Sequence, residues 1–274
     1  MPDIRINRFQ AVHIPQFQAM AEQEGWACDC REFDFTFKVF PQGAYVALSD
    51  GIAVAFVTAV RHHRSGWIGN LLVHHKHRGK GLGRKMFNRA LASLEVAGVE
   101  TAWLTASESG RPIYESAGFR AVDTIGRWRV RGVCARAREI LQDGELDIVE
   151  ELDREGWGDN RALLLKAVTA NNSVLVQNDG FLAIQQMGSG SLLGPWSSRT
   201  PAAAEFLLAK AFEPGSSSPG LVVLDCPGSN YPASRMLSAA GFSPVKSTVL
   251  MYRGKTPDYR PDSIFALASM GSMG

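Results

Sequence analysis

Ile4, Ile6 and Phe9 alternate with polar residues, which predicts a short opening strand. Ile14, Phe17, Met20 and Ala21 recur at helical spacing, and Gly25 in Glu24-Gly25-Trp26 supplies the stop. Phe33, Phe37 and Phe40 mark a second helix, ended by Pro41. Two strands follow at 44–48 and 52–60, joined by Asp50-Gly51, a strong hairpin signal. A third apolar run covers 67–73. After a basic, glycine-rich loop come a helix over 84–97, a strand over 101–105, a short helix over 112–117 stopped by Gly118, and a strand over 121–130.

The segment 132–144 reads as a charged connection, and beyond it the order begins again. Leu146, Val149 and Leu152 repeat at helical spacing in a stretch that ends in Glu155-Gly156-Trp157. A helix over 161–169 follows. Strands at 174–176 and 181–185 flank the hairpin signature Asn178-Asp179-Gly180. Then come a strand over 192–196, a helix over 201–212, a strand over 221–225, a helix over 233–240 stopped by Gly241, and a strand over 245–252. The tail, 255–274, carries Pro257, Pro261 and a short apolar patch at 264–268. Glu24-Gly25-Trp26 returns as Glu155-Gly156-Trp157, and Ala117-Gly118-Phe119 returns as Ala240-Gly241-Phe242. Two triplets in the same order inside matching strings of elements indicate a duplicated domain. The expected organisation is an α/β protein (α+β by some schemes). Its first domain spans 1–131, a linker 132–144, a second domain 145–254 and a tail 255–274.

Composition narrows the partners. The chain has 274 residues, 45 % of them hydrophobic, so it can build buried cores and is not a disordered chain. Its 29 basic and 27 acidic side chains leave a net charge of +2, too balanced to argue for nucleic acid or an anionic membrane. No apolar run approaches the ~20 residues of a membrane span, and MPDIRINRFQ has no apolar signal core, so the expectation is a cytoplasmic protein. Cys28, Cys30, Cys134 and Cys226 form neither a zinc spacing nor a disulfide framework and read as reduced thiols. Five of the six histidines lie between His62 and His77, but on an extended segment neighbours point opposite ways. They read as loop histidines, and no metal site is expected.

The chemistry concentrates where the run 67–73 meets Arg78-Gly79-Lys80-Gly81-Leu82-Gly83-Arg84 and a helix opens. Glycines remove Cβ atoms, so successive N–H groups can converge on one anion. The helix start adds its dipole and unpaired donors. Arg78, Lys80 and Arg84 add formal positive charge. The whole describes a pyrophosphate cradle. It is not a Walker loop, because no Gly-Lys-Ser/Thr opens the helix. It is not the dinucleotide fingerprint, because the run is Arg-x-x-Gly-x-Gly after a strand meander.

At this point the chain resembles the GNAT acyltransferase superfamily, whose pyrophosphate loop reads Gln/Arg-x-x-Gly-x-Gly/Ala. Arg78, Gly81 and Gly83 match it, and Tyr114-Glu-Ser-Ala-Gly-Phe119 matches a second family feature. The resemblance covers 1–131 strongly and the second half as a divergent copy, as in tandem-GNAT proteins. It implies two domains, each a mixed, mostly antiparallel sheet flanked by helices, and acetyl-CoA as cosubstrate with no metal. The pyrophosphate would lie on the amides of Gly79, Lys80, Gly81, Leu82, Gly83 and Arg84. The pantetheine would lie beside Leu71, Leu72 and Val73, with an amide near Val73 facing the thioester carbonyl. Tyr114 falls where the family places the acid that protonates the departing thiolate. Ser107 replaces the Asn that members often use on CoA, and Trp67 stands where some members carry a Glu base. His74, Glu108, Asp29 and Glu22 are the alternative bases, beside a water relay. The family's first two helices line the acceptor site, which nominates Trp26, Asp29, Glu32 and Phe33.

In the second copy, aligning Leu71-Leu72 with Leu192-Leu193 puts Arg199, Ala202 and Ala204 over Arg78, Gly81 and Gly83. Leu237 falls on Tyr114 and Asn230 on Ser107. The second copy therefore reads as degenerate. The resulting expectation is an acetyl-CoA-dependent N-acetyltransferase acting on a primary amine of a small molecule or peptide, with its chemistry in the first domain. The alternative is a non-catalytic acyl-CoA-binding sensor or an interaction protein.

Overall fold

The computed structural model describes residues 4–26, 31–132, 134, 141–142, 144–188, 190–212 and 220–274. Asp29, Cys28, Cys30 and most of the expected linker lie outside the described residues. The chain forms two compact units. One comprises 1–104, 253–255 and 271–273; the other comprises 105–252, 256–270 and 274. The compact units therefore divide differently from the sequence repeat, because the strand after the first Ala-Gly-Phe packs within the second unit.

The first unit holds β1 (Ile4–Arg8), α1 (Ile14–Gln23), α2 (Arg31–Val39), β2 (Tyr45–Ser49), β3 (Ile52–Arg61), β4 (Ser65–Val73), α3 (Leu82–Val96) and the start of β5 (Thr101–Ala106). Its strands lie in the order β1-β2-β3-β4-β5, antiparallel except for the parallel pair β4–β5. Asp50-Gly51 makes the expected tight connection, with positive φ at both residues. Helix α1 ends as its glycine requires. Gly25 takes φ +69°, and the Trp26 N–H returns to the Ala21 carbonyl at 2.9 Å. Helices α1 and α2 cover the face that carries Val46, Phe56 and Leu72. The centre of that core is aromatic: Phe9, Phe17, Phe33 and Phe56 meet edge-on or tilted at ring separations of 4.9–6.0 Å. Helix α3 packs along β3 and β4 through Leu82, Met86, Phe87, Ala90, Leu91 and Leu94.

The second unit holds α4 (Arg111–Ser116), β6 (Arg120–Gly132), α5 (Glu145–Trp157), α6 (Ala162–Thr169), β7 (Ser173–Gln177), β8 (Gly180–Met187), β9 (Gly190–Ser198), α7 (Pro201–Ala211), β10 (Gly220–Pro227), α8 (Tyr231–Ala239), β11 (Ser243–Gly254, as far as Tyr252) and β12 (Ile264–Ala266). Its strands run β11-β6-β10-β9-β8-β7, antiparallel except for β9–β10, and β12 joins β9. Asp153 and Arg161 form a fully buried bidentate pair, with N···O distances of 2.9 and 2.6 Å.

One sequence expectation changes. Phe33, nominated for the acceptor site, is fully buried among the other phenylalanines and is a core residue. Helical spacing alone does not say which neighbour an aromatic face meets. Glu155-Gly156-Trp157 ends its helix as expected, at Trp157, and the left-handed cap is the next residue, Gly158, φ +66°, rather than Gly156. Gly156 instead admits a close neighbour, since a Cβ there would lie 2.6 Å from Ile264 Cγ1. We predict that Phe33→Ala destabilises the protein by about 3–5 kcal/mol, the cost of an aromatic cavity, in equilibrium denaturant unfolding. An unchanged midpoint with altered kinetics would return Phe33 to the acceptor site.

Candidate functional site

The site begins where β4 leaves β5. Their parallel pairing covers only Ser65, Gly66 and Trp67 against Thr101, Ala102 and Trp103. The antiparallel pairing with β3 continues to Val73, but between the pairs Phe56–Leu72 and Thr58–Gly69 β4 has one residue too many. This bulge bends the strand away from its parallel neighbour. Asn70 sits in it at φ +53°, an uncommon conformation for a residue other than glycine. Its buried amide donates to Thr58 Oγ1 at 3.2 Å and to Glu32 Oε1 at 3.4 Å. Beyond the bulge, the His74 N–H donates to the Val54 carbonyl at 2.9 Å. The alternation of an antiparallel ladder then turns the N–H and C=O of Val73 to the opposite edge, the one β5 has left. Leu72 faces Phe56 across the ladder with its side chain in the core, so of the nominated strand residues it is the one turned inward.

The edge ends in the basic loop 74–81. Gly79 and Gly81 adopt φ +72° and +77°, and a Cβ at either would meet open space. Gly81 caps α3 and has no side chain to accept the first helical N–H groups. Arg84 stands exposed in the first turn, and Lys80 Nζ donates to the Lys76 carbonyl at 3.1 Å. These features fit an anionic ligand: unblocked amides, a helix start and surrounding cations. Arg78 takes a different part from the one its charge suggested. Its Nε donates to the Val73 carbonyl at 2.8 Å, and its guanidinium pairs with Glu24 at 2.5 Å, tying the end of β4 to the end of α1. Burial and then the neighbouring His75, His77, Lys76 and Arg78 hold the His74 imidazole below its usual pKa, which favours the neutral ring.

Glu32 is brought beside the bulge. Besides Asn70, it receives the Ser272 hydroxyl at 2.6 Å on Oε2. The Asn70 N–H donates to the Gly271 carbonyl at 2.9 Å. Gly69 makes room for this segment, because a Cβ there would lie 2.3 Å from the Gly271 oxygen. Sequence reasoning missed Asn70, Glu24, Gly271 and Ser272. Only Asn70 left a signal, as the polar residue inside an apolar run. Trp26 is partly buried against the aromatic core, and Asp29 lies outside the described residues.

Tyr114 and Ser107 lie in the second compact unit. Tyr114 is buried on α4, which pushes its phenol up to about 12. Its ring lies over Gly110, where a Cβ would come within 3.2 Å of Cε2. The Ser107 hydroxyl accepts the Gly110 N–H at 3.2 Å and lies 3.3 Å from Ser109 Oγ, as a cap for the turn that opens α4. Among the described residues no group of three or more His, Cys, Asp or Glu is arranged to hold a metal, and no helix is long and apolar enough to cross a membrane.

The second copy repeats this construction and alters it. Arg199 pairs with Glu155 at 2.6 Å as Arg78 does with Glu24, so the Glu-Gly-Trp triplets do correspond. Phe119 N–H returns to Tyr114 O and Phe242 N–H to Leu237 O, at 3.0 and 2.9 Å, which equates Tyr114 with Leu237. Asn230 caps α8 by accepting the Ala233 N–H at 3.0 Å, the same three-residue reach by which Ser107 accepts the Gly110 N–H in the turn before α4. Strand β9 has the same bulge, between the pairs Ile184–Leu193 and Leu182–Trp196, with Gly194 at φ +139° in the place of Asn70. That register sets Leu72 over Trp196 and corrects the alignment drawn from Leu192-Leu193. Helix α7 begins at Pro201, so Gly81 corresponds to Thr200 and Gly83 to Ala202. The loop has shrunk from 74–81 to 199–200. The Thr200 hydroxyl accepts the Ala203 N–H at 3.1 Å, closing the helix start that Gly81 leaves open.

Comparison with known proteins agrees with the duplication. Residues 41–121 and 149–266 each match a profile described as an acetyltransferase (GNAT) domain. A solved structure from Pyrococcus horikoshii, described as a candidate acetyltransferase, superposes with a TM-score of 0.84 at 21 % identity, covering 99 % of this chain and 96 % of its own. A GCN5-related N-acetyltransferase of Sphaerobacter thermophilus gives 0.66 at 16 % identity, covering 97 % and 99 %. At such identities these likenesses establish the fold. No functionally curated protein matches the chain in sequence. With both halves matched and nearly the whole fold shared, the chain belongs to the GNAT acetyltransferase superfamily and carries two of its domains in tandem.

Proposed function

We propose that the protein is an acetyl-CoA-dependent N-acetyltransferase acting on a primary amine of a small molecule or peptide, with its chemistry on β4 and the loop that follows. The observation that carries this reading is the combination on one strand: an edge freed by the bulge, running into an uncapped, glycine-lined helix start. Acetyl-CoA supplies an activated thioester. Leu71 and Val73 offer the strand edge for its pantetheine, and the amides from Gly79 to Arg84 its pyrophosphate seat, with Lys80 and Arg84 adding charge. Arg78 acts one step back, fixing the carbonyl of Val73. Ser107 contributes by shaping the turn before α4. Trp26 and Glu32 border the acceptor.

Strand and loop hold the donor, so the rate is supplied by positioning and by amide donors facing the thioester oxygen. As the amine nitrogen bonds to the carbonyl carbon, the C–S bond breaks and the sulfur needs a proton. The Tyr114 phenol holds one throughout the physiological range, because burial raises its pKa to about 12. The proton shed by the new amide nitrogen restores the phenol. The balanced sum is acetyl-CoA plus amine to amide plus CoA thiol.

Two outcomes test this. Gly81→Asp places a side chain on a left-handed cap, at about 1 kcal/mol, and a negative charge at the helix start. We expect a loss of acetyl-CoA affinity of tenfold or more by calorimetry, with the fold retained. Tyr114→Phe keeps that affinity and lowers turnover about a hundredfold in a thiol-release assay across alkylamines and lysine peptides. The wild-type rate should show no decline assignable to Tyr114 below about pH 10, because the phenol ionises only towards its raised value of about 12. Full turnover in Tyr114→Phe removes the tyrosine from the mechanism. Tight acetyl-CoA binding with no turnover on any amine favours a sensor.

A further inference from the structure

The second domain has the same splayed groove as the first, and its own chain lies in it. Strand β10 pairs with β9 only at Ser191, Leu192 and Leu193, so past the bulge one edge of β9 is left. Strand β12 takes that edge. Ile264 pairs with Ser197, and Ala266 is in register with Trp196, the equivalents of Val73 and Leu72. The Leu267 N–H donates to the Asp225 carbonyl on β10 at 2.9 Å, so the segment is bonded to both lips. It is fitted there. Gly194 could not carry a side chain, since a Cβ would lie 2.0 Å from the Leu267 oxygen, and Gly156 is shaped around Ile264. The Phe265 ring packs on Trp196 at 5.2 Å. Residues 264–268 are all within 2 % of complete burial.

Asn230 supplies the polar half of the fit. While its oxygen caps α8, its amide nitrogen donates to the carbonyls of Ile264, Pro261 and Asp262 at 2.9, 3.1 and 3.4 Å. Gln185 Nε2 donates to the Ala268 carbonyl at 2.8 Å. These side chains and strand edges recognise an extended backbone, and an extended backbone fills them.

We propose that segment 261–268 is the resident ligand of the second groove, standing where an acyl-pantetheine arm lies in the first. The second domain then takes no acyl-CoA, and the chain binds one acetyl-CoA, at the loop of the first domain. The stoichiometry rests on the function proposed above; the occupancy of the second groove does not.

Hydrogen exchange and calorimetry on the full chain test the two parts separately. We expect slow exchange of the amides in 264–268 in the free protein and no change with saturating acetyl-CoA. Asn230→Asp keeps a good helix cap but cannot donate to the three carbonyls, and should speed exchange in 261–268 about tenfold or more, while α8 stays protected. Fast exchange in the free protein, exposure of the segment on adding acetyl-CoA, or unchanged protection in Asn230→Asp overturns the proposal. Calorimetry should give one acetyl-CoA per chain, bound at least tenfold more weakly in Gly81→Asp. A second equivalent, or one bound by Gly81→Asp with unchanged affinity, overturns the stoichiometry. No binding by the wild type rejects the acetyl-CoA reading, and the exchange arm still decides whether the second groove is filled.

Discussion

A β-bulge in β4 and in its counterpart β9 is the constraint on which the rest depends. A strand that keeps one neighbour and leaves the other exposes N–H and C=O groups along an edge inside the fold. Unsatisfied buried groups of this kind cost about 1–3 kcal/mol each, so the edge must be covered. The two domains meet the same demand differently. In the second, the chain's own segment pairs with β9 and reaches across to β10. In the first, Gly271 takes the amide of Asn70 and Arg78 takes the carbonyl of Val73, while the amide of Val73 faces the open side. An edge of this shape suits a ligand that hydrogen-bonds as a strand does.

The end of that edge carries the electrostatic difference between the repeats. Both strands run into a helix start, but only the first is capped by a glycine in the left-handed conformation, with seven further loop residues before it. The amides there are left to water or to an anion. In the second repeat two residues span the connection and the Thr200 hydroxyl satisfies the helix start. The Arg–Glu pair persists in both, including the repeat that has lost its loop. This persistence assigns Arg78 to the framework that fixes β4.

Much of this was legible in the chain itself. The repeated triplet Ala-Gly-Phe is a helix stop in both copies, with glycine at positive φ and the following N–H turned back to the helix. The glycine run before α3 was legible for the same reason, since local backbone geometry demands that residue type. Phe33 was misread because helical spacing gives the period of a buried face and not its partner. The strand alignment of the repeats slipped because Leu-Leu recurs on both strands, whereas the bulges fix the register. The partners of Glu32 lie 38 and 240 residues away in sequence, and no local pattern announces them.

The sequence by itself determined the elements, the duplication, the glycine-and-cation loop and the loss of its glycines in the second copy. Each follows from period, turn chemistry or charge within a few residues. Tertiary structure alone decided which strand edge is free, what covers it, and that segment 261–268 lies in a groove built by Asn230, Gln185 and the bulge at Gly194. Those outcomes depend on backbone hydrogen bonds between segments far apart in the chain. A backbone donor or acceptor is the same in every residue except proline, so the sequence carries no mark of where it will pair.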